Sequence, residues 1–129
     1  MYSITCIICD ENGNSVFIQK TYPKSERSGM YLSEQIGSKN FRIRESDAYY
    51  KSFWHLAGDP TLIIVLQGIL RITLQNNQYM DFCAGDMFIA ADNLPIEIQF
   101  DPAVHGHMAE VISEVPLRAI HVKLLDFKV

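Results

Sequence analysis

Two apolar runs, Thr61-Leu-Ile-Ile-Val-Leu-Gln67 and residues 69–75, meet with only Gly68 between them. Both are short, rich in β-branched side chains and bounded by turn-forming residues, which marks strands rather than helices. A single intervening glycine implies a tight turn or a sharp bend. Elsewhere Gly and Pro punctuate similar short stretches, and no window of ten residues or more keeps a helical apolar period. The fold class that follows is all-β.

Strand positions can be read in order. Residues 2–9 and 15–20 flank Asp10-Glu-Asn-Gly-Asn14, whose Asn-Gly step favours a tight turn, so a hairpin is expected there. Residues 22–29 read as a polar loop. Strands follow at 30–36 and at 40–45, where Phe41 and Ile43 alternate with Arg42 and Arg44 and one face is expected to be wet. Residues 46–58 are aromatic and irregular, and Asn76-Asn-Gln78 makes a turn. Further strands are expected at 79–83, 87–91, 95–100, 107–113 and 117–124. Nine or ten strands so spaced indicate a closed barrel or a two-sheet jelly roll. With no internal repeat, low-complexity tract or linker, one domain is expected over residues 1–129.

The 129 residues are enough to bury about two-thirds of the surface the unfolded chain exposes. No stretch nears the roughly 18 uninterrupted apolar residues of a membrane span, so no membrane partner is expected. A formal charge of −4 without a Lys/Arg cluster argues against nucleic acid, because phosphate neutralisation supplies most of that affinity. Residues 1–10 carry neither a basic leader nor a small-residue cleavage site, and a cytoplasmic location is expected. Cys6 and Cys9 have redox spacing, yet residues three apart on a strand face opposite ways and no helix follows to lower a thiol pKa. Cys83 reads as a small buried hydrophobe. Asp86, after Gly85, reads as a turn residue bonding nearby backbone.

In order, His55, Gly68 and Ala84-Gly-Asp86 resemble the conserved barrel of the cupin superfamily. The resemblance implies a cupin-like jelly-roll β-barrel. Counting along that family's two motifs, Ala57, Thr61 and Ile96 stand where further metal ligands would be, and His55 alone survives. A closer similarity is to small single-domain cupin-like proteins, carried by Trp54-His-Leu-Ala57, Gly85-Asp86, Asp92 and His105-Gly-His107. It spans roughly residues 10–124, departing at Gly58-Asp-Pro60 and in the longer loop before His107. Members of that group mostly lack an assigned activity.

The candidate ligand-binding residues are His55, His107, Trp54, Asp92 and His121. Imidazoles are common metal ligands, and His105 and His107, two apart, would share a face of one strand. A metal, if present, would use His55, His105 and His107. Fewer than three convergent ligands rarely hold zinc or iron, so no cofactor is expected, with a divalent metal as the alternative. Asp92 paired with His107 would fix an imidazole tautomer for acid or base work, or form a structural bond. Tyr49, Tyr50, Phe53 and Trp54 would line a pocket mouth, plug the barrel or make a dimer contact, and Glu110 is buried or solvated according to the face it takes. The sequence thus favours a small-molecule-binding barrel of unassigned activity. The alternatives are a metal-dependent cupin enzyme of isomerase or dioxygenase type and a non-catalytic dimeric interaction module. A homodimer is expected, because the apolar run from Ile4 to Ile8 would be an unsafe strand edge.

Overall fold

The computed structural model describes residues 1–129, which form eleven strands and no helix. The Asn-Gly turn behaves as its sequence dictates: Asp10 accepts from the backbone N–H groups of Asn12 and Asn14, both at 2.9 Å. That closes a hairpin of β1 (Tyr2–Cys9) and β2 (Ser15–Tyr22), paired from Tyr2 opposite Tyr22 to Cys9 opposite Ser15. A short hairpin follows: β3 (Ser25–Arg27) lies where the sequence suggested loop, and β4 (Met30–Leu32) takes up the start of the strand expected at 30–36. Its turn residues, Ser28 and Gly29, adopt φ of 50° and 88°, the left-handed pair that a two-residue hairpin needs. The remaining strands are β5 (Ser38–Ser46), β6 (Thr61–Gln67), β7 (Leu70–Leu74), β8 (Tyr79–Phe82), β9 (Met87–Ala90), β10 (His107–Val111) and β11 (Leu117–Leu124).

These strands make a two-sheet jelly roll. One sheet has the order β2-β1-β9-β6-β11-β5, and the other β10-β7-β8. Alternation along each strand sends Ile63 and Val65, Leu70, Ile72 and Leu74, Phe88, Val111 and Leu117 into one buried cluster between the sheets. Phe82 and Phe88 stack there with ring centroids 4.3 Å apart. A second cluster, Ile4, Cys6, Tyr22, Ile89 and Leu124, lies outside the larger sheet. No helix is long and apolar enough to cross a membrane.

Several expectations need correction. Residues 95–100 form no strand: Ile98 N–H bonds back to Pro95 O in a turn, and Ile96 projects fully into solvent. Their alternating pattern has no neighbouring strand to pair with. β1 is not an edge, because β2 and β9 flank it, so the edges are β2 and β5. Cys83 is exposed rather than buried, at a turn where its N–H donates to the Asp86 carboxylate at 2.8 Å. Burial pushes the Cys6 thiol up to about 11 and also raises that of Cys9, so neither pairs redox spacing with a reactive thiolate. On β5 the solvated face is the apolar one: Phe41 and Ile43 are 69% and 68% exposed, whereas Arg44 turns inward. Glu110 faces outward opposite Arg71, since its neighbours Ala109 and Val111 point into the core.

Candidate functional site

Between the sheets the side chains leave a cavity of about 150 Å³. Its apolar lining includes Ile63, Leu70, Ile72 and Phe88; its polar lining is Arg44, His55, Thr61, His107, His121 and Lys123. Each polar group is placed by strand alternation. His121 and Lys123 share a face of β11 with buried Leu117 and Ala119, Thr61 shares one of β6 with Ile63, and His107 begins β10 ahead of Ala109 and Val111.

His55 belongs to no strand of its own. It is held by an antiparallel bridge to His107, with each backbone N–H donating to the other's carbonyl, at 3.0 and 2.9 Å. The imidazoles are tilted by 55° with centroids 4.5 Å apart. The His55 ring sits at the cavity rim, its Nδ1 donating to Phe53 O at 2.8 Å. His107 is buried, and its Nδ1 donates to Asp92 Oδ2 at 2.7 Å. Asp92, wholly buried, also accepts from Ser15 Oγ at 2.8 Å and from Ala57 N–H at 3.1 Å. Both histidines commit Nδ1 to a protein acceptor, so in the neutral form each keeps Nε2 as an acceptor.

Charge tunes the other imidazole. Burial, then Arg44, Lys123 and Arg42, pushes His121 down from its ordinary 6.5 to about 4; burial likewise lowers His55. His121 is therefore neutral at neutral pH. The unfolded chain takes up this proton near pH 6.5 and the folded chain only near 4, so the stabilisation is complete above 6.5 and is lost as pH falls between those values. We expect the wild-type melting temperature to fall more steeply over this interval than that of His121→Gln. Parallel melting curves would contradict this origin.

Of the sequence candidates, His55, His107 and His121 meet at the cavity, with Asp92 directly behind His107. Trp54 is half-buried and does not line it. Tyr50 lies beside the rim under the Arg44 guanidinium, 5.5 Å from ring centroid to Cζ, whereas Tyr49 and Phe53 project into solvent. His105 does not share a face with His107. Gly106 between them has φ of 86°, which breaks strand alternation and turns His105 to accept from Asp101 N–H at 3.0 Å. Ala57 and Thr61 line the cavity, but Ile96 is far out on its turn.

The proposed set of His55, His105 and His107 thus does not converge, and no group of three or more His, Cys, Asp or Glu side chains is arranged to hold a metal ion. Arg44 near His121 further disfavours a divalent cation. The residues present do not fit a metal centre. Sequence reasoning missed Arg44, Lys123 and Ser15. The signal for Arg44 was its alternation with Phe41 and Ile43, which identifies two faces but not which one is covered.

No family model matches the sequence, and the comparison with curated proteins found no match. The fold does have solved counterparts. The cupin domain of Cnp3 from Schizosaccharomyces pombe superposes with a TM-score of 0.50 at 14% identity, over 98% of this chain and 89% of that one. ToxT from Vibrio cholerae matches with a TM-score of 0.52 at 9% identity, over 69% of this chain; the match spans 31% of the ToxT chain. The protein is thus all-β and cupin-like in fold. At such identities the likeness concerns the fold alone.

Proposed function

We propose that this protein binds a small molecule inside its barrel, at the cavity bounded by His55, His107 and His121. The observation that carries the reading is that cavity. Side chains do not fill the barrel there, and two imidazoles on its lining have Nε2 acceptors uncommitted to protein. Apolar walls with a few fixed polar groups are the usual makeup of a small-molecule site. Thermal-shift screening of sugars, amino acids and organic acids tests it. A ligand should raise the wild-type midpoint, and His55→Ala and His107→Ala should lose most of the shift while remaining folded. Loss of one buried imidazole bond costs about 1–3 kcal/mol, which a domain stable by about 5–15 kcal/mol survives. Equal shifts in wild type and variants would make these histidines structural and defeat the proposal.

For the macromolecular partner we infer a second copy of the chain. β1 is an interior strand, but the outer face of the larger sheet supports the same conclusion. Phe41, Ile43, Leu66 and Met87 are exposed there, and Ile43 and Phe41 stand opposite Ile120 and Val122 of β11, continuing an apolar surface toward the second buried cluster. A two-fold interface needs only a self-complementary patch, and the charged side chains that flank Phe41 and Ile43 on this face of β5, Lys39 and Glu45, are paired with Asp59 and Arg118. Light scattering should give twice the 14.7 kDa chain mass, and Phe41→Asp should shift it to the monomer. A wild-type monomer at high concentration would remove the inference.

A further inference from the structure

The cavity lining carries two cations, Arg44 and Lys123, that no ion pair in the protein reaches. Ion pairs join Lys39 to Asp59, Arg71 to Asp81 and Arg118 to Glu45, and none reaches Arg44 or Lys123. Both cations line the cavity. Arg44 donates from Nε to Ser46 Oγ at 2.9 Å, and one terminal nitrogen lies 3.5 Å from His121 Nε2. The other terminal nitrogen has no protein partner. Lys123 donates one Nζ proton to Thr61 Oγ1 at 2.8 Å, leaving the other two without a protein acceptor. Burial lowers the Arg44 pKa, a sign that its charge is held at a cost. A partly desolvated guanidinium and ammonium facing one cavity, without a carboxylate, create a site that an anion would complete.

We propose that the ligand is a small organic carboxylate, its anionic group held by Arg44 and Lys123 and its carbon skeleton by Ile63, Leu70, Ile72 and Phe88. This rests on the reading that the cavity holds a small molecule. The planar guanidinium matches a carboxylate, and Lys123 adds a point charge from the neighbouring strand. The apolar walls distinguish an organic acid from an inorganic oxyanion, which would leave them uncovered. In the neutral form His55 and His107 offer Nε2 acceptors, which suit a hydroxyl or N–H elsewhere on the ligand.

The experiment is calorimetric titration of the full chain with pyruvate, butyrate and benzoate, each beside its primary amide of nearly equal size, with inorganic phosphate as a further arm. At least one acid should bind, with its amide at least tenfold weaker and phosphate weaker still. Arg44→Met and Lys123→Met should each weaken that acid at least tenfold. Because both remove an uncompensated charge, the ligand-free melting temperature of each should stay level or rise. A fall in both would show the cations to be structural and overturn the proposal. So would an amide binding within threefold of its acid, tighter binding of phosphate, or the absence of binding by all three acids. If an amide binds and His107→Ala abolishes that binding, the carboxylate inference falls while the cavity reading stands.

Discussion

Replacing Gly106 by Ala is expected to destabilise the protein by about 2–4 kcal/mol and to pull His55 away from His107. Gly106 adopts φ of 86°, where a side chain is strained. The added Cβ would also lie 2.6 Å from His55 O, 2.9 Å from His55 C and 3.1 Å from His55 N. Those are backbone atoms and cannot swing aside. Relief requires opening the bridge, in which His55 and His107 exchange both backbone hydrogen bonds. At about 4 °C of melting temperature per kcal/mol for a domain of this size, the loss should be evident by calorimetry. Ligand binding should weaken together with stability, because the bridge sets the imidazole pair. Gly29→Ala is the comparison: its φ is 88°, but nothing lies within 4 Å of the new Cβ. It should cost only the backbone strain and leave binding intact. Equal losses in both variants would mean that the contact with His55 is unimportant.

Asp92→Ala is expected to cost about 3–5 kcal/mol, while Asp92→Asn should cost less and alter His107 specifically. Asp92 is the acceptor on which β2, β10 and the segment before β6 converge, through Ser15 Oγ, His107 Nδ1 and Ala57 N–H. Alanine leaves those buried donors without their side-chain acceptor. Asparagine keeps the shape but offers one oxygen and one NH2 group. Turning its NH2 toward His107 would move the imidazole proton from Nδ1 to Nε2, converting the cavity-side nitrogen from acceptor to donor. Nitrogen-15 NMR of the imidazole reports that exchange, which a purely structural role would not produce. An unchanged His107 tautomer in a folded Asp92→Asn protein would contradict this account.

The fold was legible because strand alternation and turn chemistry are local. Short β-branched runs bounded by Gly, Pro and Asn mark the strands at 61–67 and 69–75, and the Asn-Gly step specifies its hairpin within five residues. The same local rule misled at residues 95–100, where an alternating pattern found no partner strand, and at β1, whose apolar run is an interior strand. Local pattern does not encode neighbours.

The site shows the same division. His55, His107 and Asp92 could be singled out from their motif context, and their residue types limited what chemistry was available. The pairing of Asp92 with His107 was among the readings the sequence offered and matches the 2.7 Å bond, but sequence position could not show that Gly106 would turn His105 away. Nor could Arg44 be assigned to the interior: Arg42 and Arg44 alternating with Phe41 and Ile43 is equally consistent with either face outward. By itself the sequence determined the all-β class, most of the strands and turns, and the histidines of the barrel's polar lining. Only the tertiary structure decided that β5 joins β11 with Arg44 inward, bringing Arg44, His121 and Lys123 around one cavity. That choice depends on pairing and burial across about 80 residues of chain, where no local periodicity reaches.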